Sequence, residues 1–170
     1  RTELINCVIT NNYTSPVNGT SYGGGIAVDL WANYNQHEVK IINCTIAQNE
    51  ANAPYAQSNS HGGGIYLDWD EIAIIFNTIL WGNTAEVDAN IADNGANMAT
   101  NNNNIENGEQ FNWFATTSLT LDPQFTNSVG DDFSISDASY NIGAGTSGFG
   151  GYSAPANDIL GNARPDPAGS

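Results

Sequence analysis

The sequence predicts an all-β solenoid, a domain in which short strands stack in successive coils. Two repeated motifs predict it. GGGIAVD (residues 23–29) recurs as GGGIYLD (62–68), 39 positions later. A second motif recurs in step, as INCVITNN (5–12), INCTIAQN (42–49) and FNTILWGN (76–83). Self-similarity at this period is typical of proteins in which each repeat buries its apolar side chains against the next repeat.

Composition favours strands and turns over helices, and it restricts the possible partners. The 170 residues include 25 Asn and 18 Gly but only 3 Lys plus Arg, and the net charge is −15. Such a composition suits turns and strands. Arg1, Lys40 and Arg164 cannot form a basic patch, which argues against a nucleic-acid partner or an anionic bilayer. Cations and neutral sugars are the better candidates for a ligand.

The second motif predicts a short strand whose alternate residues face the core. Cys7 and Cys44 occupy the same position in two repeats, and Thr78 occupies it in the third. We expect the two cysteines to be stacked, buried thiols, because directly paired parallel positions rarely have Cβ vectors suited to a disulfide. A structural disulfide is the alternative, so the redox compartment stays open.

An asparagine ends each of these strands and predicts a structural ladder. The residues are Asn12, Asn49 and Asn83. An amide at this place can satisfy the backbone of the turn and stack on its equivalent one coil away. A second row at equivalent positions is a further candidate ladder, formed by Asn6, Asn43 and Asn77.

The triple glycines predict a tight corner before the next strand. Glycine is required where φ is positive or where stacked backbones approach too closely for a Cβ atom. Polar loops precede each glycine run, at residues 13–22 and 50–61. The regular coils are expected to cover residues 1–83. Residues 84–120 are expected to break the repeat, with a further strand still open at 87–92 (VDANIA) and an amide-rich loop or irregular coil at 92–104. Residues 121–170 are expected to form a closing region of the same domain.

Both repeated motifs resemble those of a known architecture. GGGI followed by a strand of pattern N-C/T-x-I/L-x-x-N resembles the repeat of right-handed parallel β-helix proteins, and is similar to the GGAI and FxxN repeats of chlamydial polymorphic outer-membrane proteins. Four tail motifs resemble the terminal coils of large secreted bacterial β-helix proteins, which precede an anchoring or sorting module: NIENG (104–108), LDPQF (121–125), GDDFSISDASYNIGAG (130–145) and DILGNARPDPAGS (158–170). The resemblance implies a right-handed parallel β-helix in an extracellular or cell-surface protein, but no particular activity.

Aromatic residues in the long loops predict a binding surface. Trp31, Tyr34, Tyr55 and Trp69 lie in or beside these loops. Because loops of successive coils lie on one edge, their rings and the nearby acids suit a polysaccharide or surface glycan. The alternative is that the rings cover the flanks of the core.

Acidic residues after the glycine motifs are candidate ligands for Ca²⁺. Asp29 and Asp68 are equivalent by repeat, and Asp70 lies beside the second of them. Stacked carboxylates repel each other, and a calcium ion takes several oxygen ligands of this kind. A solvated acidic edge is the simpler alternative.

The predicted function is that of an adhesin, stalk or glycan-contacting module. The alternative is part of a polysaccharide-degrading enzyme whose active groove lies mostly upstream, with Asp68, Asp70 and His61 as the nearest match to the carboxylate pair such enzymes use. Since the sequence starts inside a repeat, we expect upstream coils or a partner chain to cover the first coil.

Overall fold

The structure, a computed structural model, describes residues 1–28, 37–54 and 59–164 and shows an all-β chain. The strands are β1 (Thr2–Ile5), β2 (Val8–Thr10), β3 (Tyr13–Thr14), β4 (Ser21–Tyr22), β5 (Ile26–Val28), β6 (Glu38–Ile42), β7 (Thr45–Ala47), β8 (Glu50–Ala51), β9 (Ser60–His61), β10 (Ile65–Leu67), β11 (Ile72–Phe76), β12 (Ile79–Trp81), β13 (Ile91–Asp93), β14 (Asn97–Asn101), β15 (Asn104–Ile105), β16 (Phe125–Asn127), β17 (Asp132–Ile135), β18 (Gly148–Phe149) and β19 (Tyr152–Ser153). Within these ranges the helical segments are short 3₁₀ turns at Gly108–Gln110 and Ser128–Gly130. No helix found there has the length and apolar character to cross a membrane.

Three parallel sheets place equivalent strands of successive repeats side by side. Sheet one has the order β1-β6-β11-β14, sheet two β2-β7-β12-β15, and sheet three β5-β10-β13. In sheet one Ile5 pairs with Ile42, Ile42 with Phe76, and Phe76 with Asn101. We number the repeats accordingly: one (β1–β5), two (β6–β10), three (β11–β13) and four (β14–β15). The all-β prediction is confirmed, and the parallel pairing follows the sequence repeats.

Alternate side chains of the three sheets meet in one apolar core. Successive residues of a strand point to opposite faces, so every second residue can be buried. The buried members of this core are Val39, Ile41, Cys44, Ile46, Ile65, Leu67, Ala73, Ile75, Leu80, Ile91 and Ile105. Trp113 and Phe114, which follow repeat four, also pack against this core.

The amide-rich segment departs from its prediction as a loop or irregular coil. That prediction was wrong for much of residues 92–104, because β14 pairs with β11 and β15 with β12 in parallel register. The strand ladder needs only backbone N–H and C=O groups, which asparagine supplies like any other residue. Met98 and Ile105 provide the apolar side chains that pack on the core.

The triple glycines meet both requirements that predicted them. Gly62 has a φ of 61°, in the left-handed region. A Cβ atom on Gly63 would overlap the carbonyl oxygen of Thr84 in the next repeat. Such a contact is far closer than packed atoms allow, so the corner requires glycine at both positions.

The asparagine ladder runs through the interior between sheet two and the glycine corners. Asn12 Nδ2 donates to Asn49 Oδ1 at 2.9 Å, and Asn49 Nδ2 donates to Asn83 Oδ1 at 3.0 Å. Asn83 Nδ2 donates in turn to Asn90 Oδ1 at 2.8 Å. Asn49 and Asn83 are buried, at 0% and 4% exposure, whereas Asn12 is exposed. Asn49 thus joins repeat two to repeats one and three, and Asn83 joins repeat three to repeat two.

The second row of asparagines does not form the ladder predicted for it. These residues adopt left-handed backbone conformations at the corner between sheets one and two. Two of their side-chain amides contact a C-terminal segment, residues 144–164, which we call the strap. Asn6 Nδ2 donates to Asn157 O at 2.9 Å, and Asn77 Nδ2 donates to Thr146 O at 2.8 Å. The strap therefore offers these two amides backbone partners outside the core.

The strap covers the outer face of sheet one. Ile42, Ile74 and Phe76 form a second buried apolar cluster, against which Phe149 and Tyr152 pack. The rings of Phe76 and Phe149 meet edge to face with centroids 6.1 Å apart. Sheet one is thus covered on both faces, which explains the continuous apolar run from residue 72 to residue 76.

A buried lysine lies beneath the strap. Lys40 is 1% exposed, and its Nζ lies 3.4 Å from the ring centroid of Tyr152. The same Nζ forms ion pairs with Glu3 Oε1 at 3.1 Å and Glu38 Oε1 at 3.3 Å. The Tyr152 hydroxyl donates to Glu38 Oε2 at 3.0 Å. Ion pairs and a cation–π contact together compensate for the burial of this ammonium group.

Cys7 and Cys44 are free thiols at equivalent positions in two repeats. Cys44 is buried and Cys7 is half-buried. The Cys44 thiol donates to the carbonyl oxygens of Leu4 and Ile42 at 3.4 and 3.3 Å. Burial raises the pKa of Cys44 to about 11, so this thiol stays protonated and unreactive near neutral pH.

Candidate functional site

A groove lies on the outer face of sheet three and extends beside it. It has a volume of about 340 Å³ and is lined by Tyr22, His61, Tyr66, Val87, Asp88, Ala92, Asp93 and Asn94. These residues come from repeats one, two and three. A cavity of this size, with aromatic walls and a few polar groups, falls within the range of small-ligand sites.

The aromatic side of the groove follows from strand register. Tyr66 lies between Ile65 and Leu67, whose side chains are in the core, so its ring occupies the opposite face of β10. Tyr22 of β4 pairs with His61 of β9 in parallel register. The Tyr22 ring lies 4.4 Å from the Tyr66 ring and 5.6 Å from the His61 ring, measured between centroids. The three rings therefore form one platform, with Tyr22 exposed and Tyr66 buried.

Polar contacts fix the end of the platform nearest Asp68. The Tyr66 hydroxyl donates to Asp68 Oδ1 at 3.1 Å, and Asn94 Nδ2 donates to the same oxygen at 2.9 Å. Asp93 Oδ1 accepts hydrogen bonds from the backbone N–H groups of Gly95 at 3.0 Å and Ala96 at 2.6 Å. The turn after β13 is thus held in place by its own aspartate, and it presents Asn94 to the groove.

Trp69, one of the predicted glycan contacts, lies beside this turn. Its side chain is 66% exposed, and its ring packs on Gly95, where an added Cβ atom would lie 3.1 Å from Trp69 Cε3. Gly95 directly follows Asn94, a residue of the groove wall. The indole therefore provides a further exposed aromatic surface near one side of the groove.

Other predicted site residues have different positions. Trp31, Tyr34, Tyr55 and Asp29 lie outside the described residues. Asp70 is exposed in a turn with a φ of 62°. In residues 1–28, 37–54 and 59–164 no group of three His, Cys, Asp or Glu side chains comes close enough to hold a metal ion. Because Asp29 belongs to the proposed calcium set, that site stays a prediction.

Several groove residues escaped the sequence analysis. Asp88, Asp93 and Asn94 lie in the stretch that was expected to be irregular, so nothing related them to the glycine repeats. Tyr66 could have been found, because it stands between two inward residues in GGGIYLD and must face outward. His61 entered only as a candidate for catalysis, and the structure places it on the platform.

The Tyr66 hydroxyl provides a pH-dependent signal for this site. Burial, with the negative charge of Asp68, raises the pKa of Tyr66 to about 12 from an ordinary value of 10.0. The neutral phenol is therefore favoured by folding. Its contribution to stability is complete below pH 10 and is lost as the pH rises to about 12. Ultraviolet titration should show a tyrosine that ionises near pH 12 and disappears in Tyr66→Phe; an unchanged titration curve in that variant would contradict this assignment.

No protein-family model matches the sequence, and neither the curated proteins nor the solved structures contain a significant match to it.

Proposed function

We propose that this chain is a right-handed parallel β-helix module of a secreted or cell-surface bacterial protein, which serves as a stalk or adhesin and contacts glycans through the groove on sheet three. The repeat motifs and the three parallel sheets support the β-helix architecture. Upstream coils or a partner chain remain the proposed neighbours of β1, β2 and β5, each of which is the edge strand of its sheet.

The groove is the observation that supports glycan contact. Sugar rings have apolar faces that pack on aromatic side chains, and hydroxyl groups that bond to carboxylates and amides. The platform of Tyr22, His61 and Tyr66 provides the first kind of surface, and Asp88 and Asn94 at its border provide the second. Trp69 extends the aromatic surface outside the groove.

Binding to oligosaccharides tests this proposal. The intact protein is titrated by calorimetry against a panel of neutral, cationic and anionic oligosaccharides, beside the double variant Tyr22→Ala, Trp69→Ala. We expect the double variant to weaken binding about tenfold or more, because both exposed rings are removed. Each site is expected to bind weakly and to gain from display of many copies on a surface.

A matched control separates the site from the rest of the surface. Tyr140 is 63% exposed and does not line the groove, so Tyr140→Ala should bind like the wild-type protein. Repetition of the titration with a chelator tests the predicted assistance by Ca²⁺. Equal binding by the wild-type protein and the double variant on every oligosaccharide would leave a passive stalk as the better interpretation.

Polysaccharide cleavage is the second candidate function. It is favoured by two carboxylates near His61: Asp88, which lines the groove, and Asp68, at the end of the aromatic platform. Glycosidases act with two carboxyl groups across the scissile bond. Release of shorter products from the oligosaccharide that binds best would identify an enzyme, and an intact oligosaccharide after prolonged incubation would favour the adhesin.

A further inference from the structure

The ionic character of the groove limits the chemistry of its ligand. Asp88 and Asp93 line it, and the described residues of its wall include no lysine or arginine. The three cationic side chains of the described residues lie elsewhere. Arg1 and Lys40 pair with Glu3 and Glu38 on the outer face of sheet one, and Arg164 donates to Asn6. A sugar acid would therefore approach the exposed carboxylate of Asp88 without a compensating lysine or arginine.

The aromatic platform, like the aspartates, favours a ligand with positive charge. Tyrosine rings attract cations to their faces, and ammonium groups are held best where aromatic faces and carboxylates occur together. Tyr22 is 41% exposed and is stacked on His61, at the border of the groove that Asp88 also lines. A neutral sugar would use the rings and a hydrogen bond to the carboxylate of Asp88, whereas an amino sugar would form an ion pair with that carboxylate in addition.

The shape of the groove favours an extended ligand over a small cation. Its walls come from three successive repeats, with Tyr22 in repeat one, His61 and Tyr66 in repeat two, and Asp93 in repeat three. Two spacings between neighbouring strands amount to about 10 Å. A metal ion would need several convergent oxygen ligands, whereas each ammonium group of an oligosaccharide needs only one or two carboxylates.

We propose that the groove binds a linear glycan whose sugars carry free amino groups, such as a polymer of glucosamine, in preference to neutral glycans and polyuronates. This inference rests on the proposed function, since it names the class of glycan for the same site. Asp88 pairs with an ammonium group, and the exposed ring of Tyr22 contacts the face of a sugar ring.

The test compares three oligosaccharides of equal length on the intact protein: glucosamine, N-acetylglucosamine and galacturonic acid oligomers. Calorimetry is done at mildly acidic pH, where the amino groups of the glucosamine oligomer are charged. We expect the glucosamine oligomer to bind at least about tenfold more tightly than the acetylated one, with an affinity that falls as salt is added. The galacturonic acid oligomer should bind least.

The variant Asp88→Asn assigns the preference to this residue. Asp88 has a φ of 48°, in the left-handed region, and asparagine tolerates this backbone conformation well. Asp93, whose carboxylate holds the turn after β13, is left unchanged in this variant. The fold is thus preserved, and the preference for the glucosamine oligomer should disappear.

The possible results separate this inference from the proposed function. Equal affinity for the glucosamine and N-acetylglucosamine oligomers, or a preference that survives in Asp88→Asn, would overturn the amino-sugar inference while glycan binding stands. Absence of binding to all three oligomers, or binding that Tyr22→Ala leaves unchanged, would overturn the glycan site and this inference with it.

Discussion

The variant Phe76→Ala is expected to unfold with a free energy about 3–5 kcal/mol below that of the wild-type protein. Phe76 is fully buried between sheet one and the strap, where it contacts Phe149. Loss of the ring removes buried apolar area and leaves a cavity that sheet one and the strap cannot fill. Urea denaturation measures the change, and the amide of Thr146 in the strap should exchange its hydrogen faster, because the strap is held less tightly.

The control for this prediction removes an aromatic ring from the surface. Tyr140 is 63% exposed, so Tyr140→Ala should change the free energy of unfolding by about 0.5 kcal/mol or less. If Phe76→Ala proves as stable as this control, or Thr146 exchanges as in the wild-type protein, the strap does not pack on sheet one as described.

Replacement of Asn49 by leucine is expected to cost about 2–4 kcal/mol of stability, the second largest effect. The Asn49 side chain is fully buried, where it accepts from Asn12 N at 3.0 Å and donates to Ile9 O at 2.9 Å and Asn83 Oδ1 at 3.0 Å. Leucine has neither a hydrogen-bond donor nor an acceptor, so polar atoms of three neighbouring residues each lose a hydrogen-bond partner. The loss should appear as a lower denaturant midpoint with an unchanged slope.

The exposed end of the same ladder supplies the matched control. Asn12 is exposed, so water can replace the bonds that Asn12→Leu removes. We expect this variant to lose less than about 1 kcal/mol. Equal losses in the two variants would mean that burial of the ladder does not determine its contribution.

Sequence periodicity was sufficient to predict the repeated strands and their parallel order. Cys7 and Cys44 marked equivalent positions, and the structure places each of them between a strand of sheet one and a strand of sheet two. The fourth repeat was missed because its strands lack the apolar alternation that signals a strand, although Met98 and Ile105 still pack on the core. Backbone pairing with β11 and β12 determines the conformation there, and a neighbour in space cannot be read from local composition.

The site was predicted only in its general chemistry. Aromatic and acidic residues near the glycine motifs were recognised, and Trp69 lies beside the groove. The groove itself combines Tyr22, Tyr66 and Asp93, which are far apart in sequence and belong to three different repeats. Their proximity depends on the number of residues between the strands of each repeat. The third repeat is shorter than the second, so Asp93 is not found at the sequence spacing that relates the two glycine motifs.

Structural repeats that contact only their nearest neighbours can unfold one at a time, so that an outer repeat unfolds while the inner repeats remain folded. In this chain the strap connects distant repeats, because its bonds reach Asn102 in repeat four, Asn77 in repeat three and Asn6 in repeat one. Melting of repeat one would therefore also release contacts that hold repeats three and four. We therefore expect that the repeats do not unfold independently and that the protein unfolds in a single transition. Closure of the strap is expected to be a late and slow folding step.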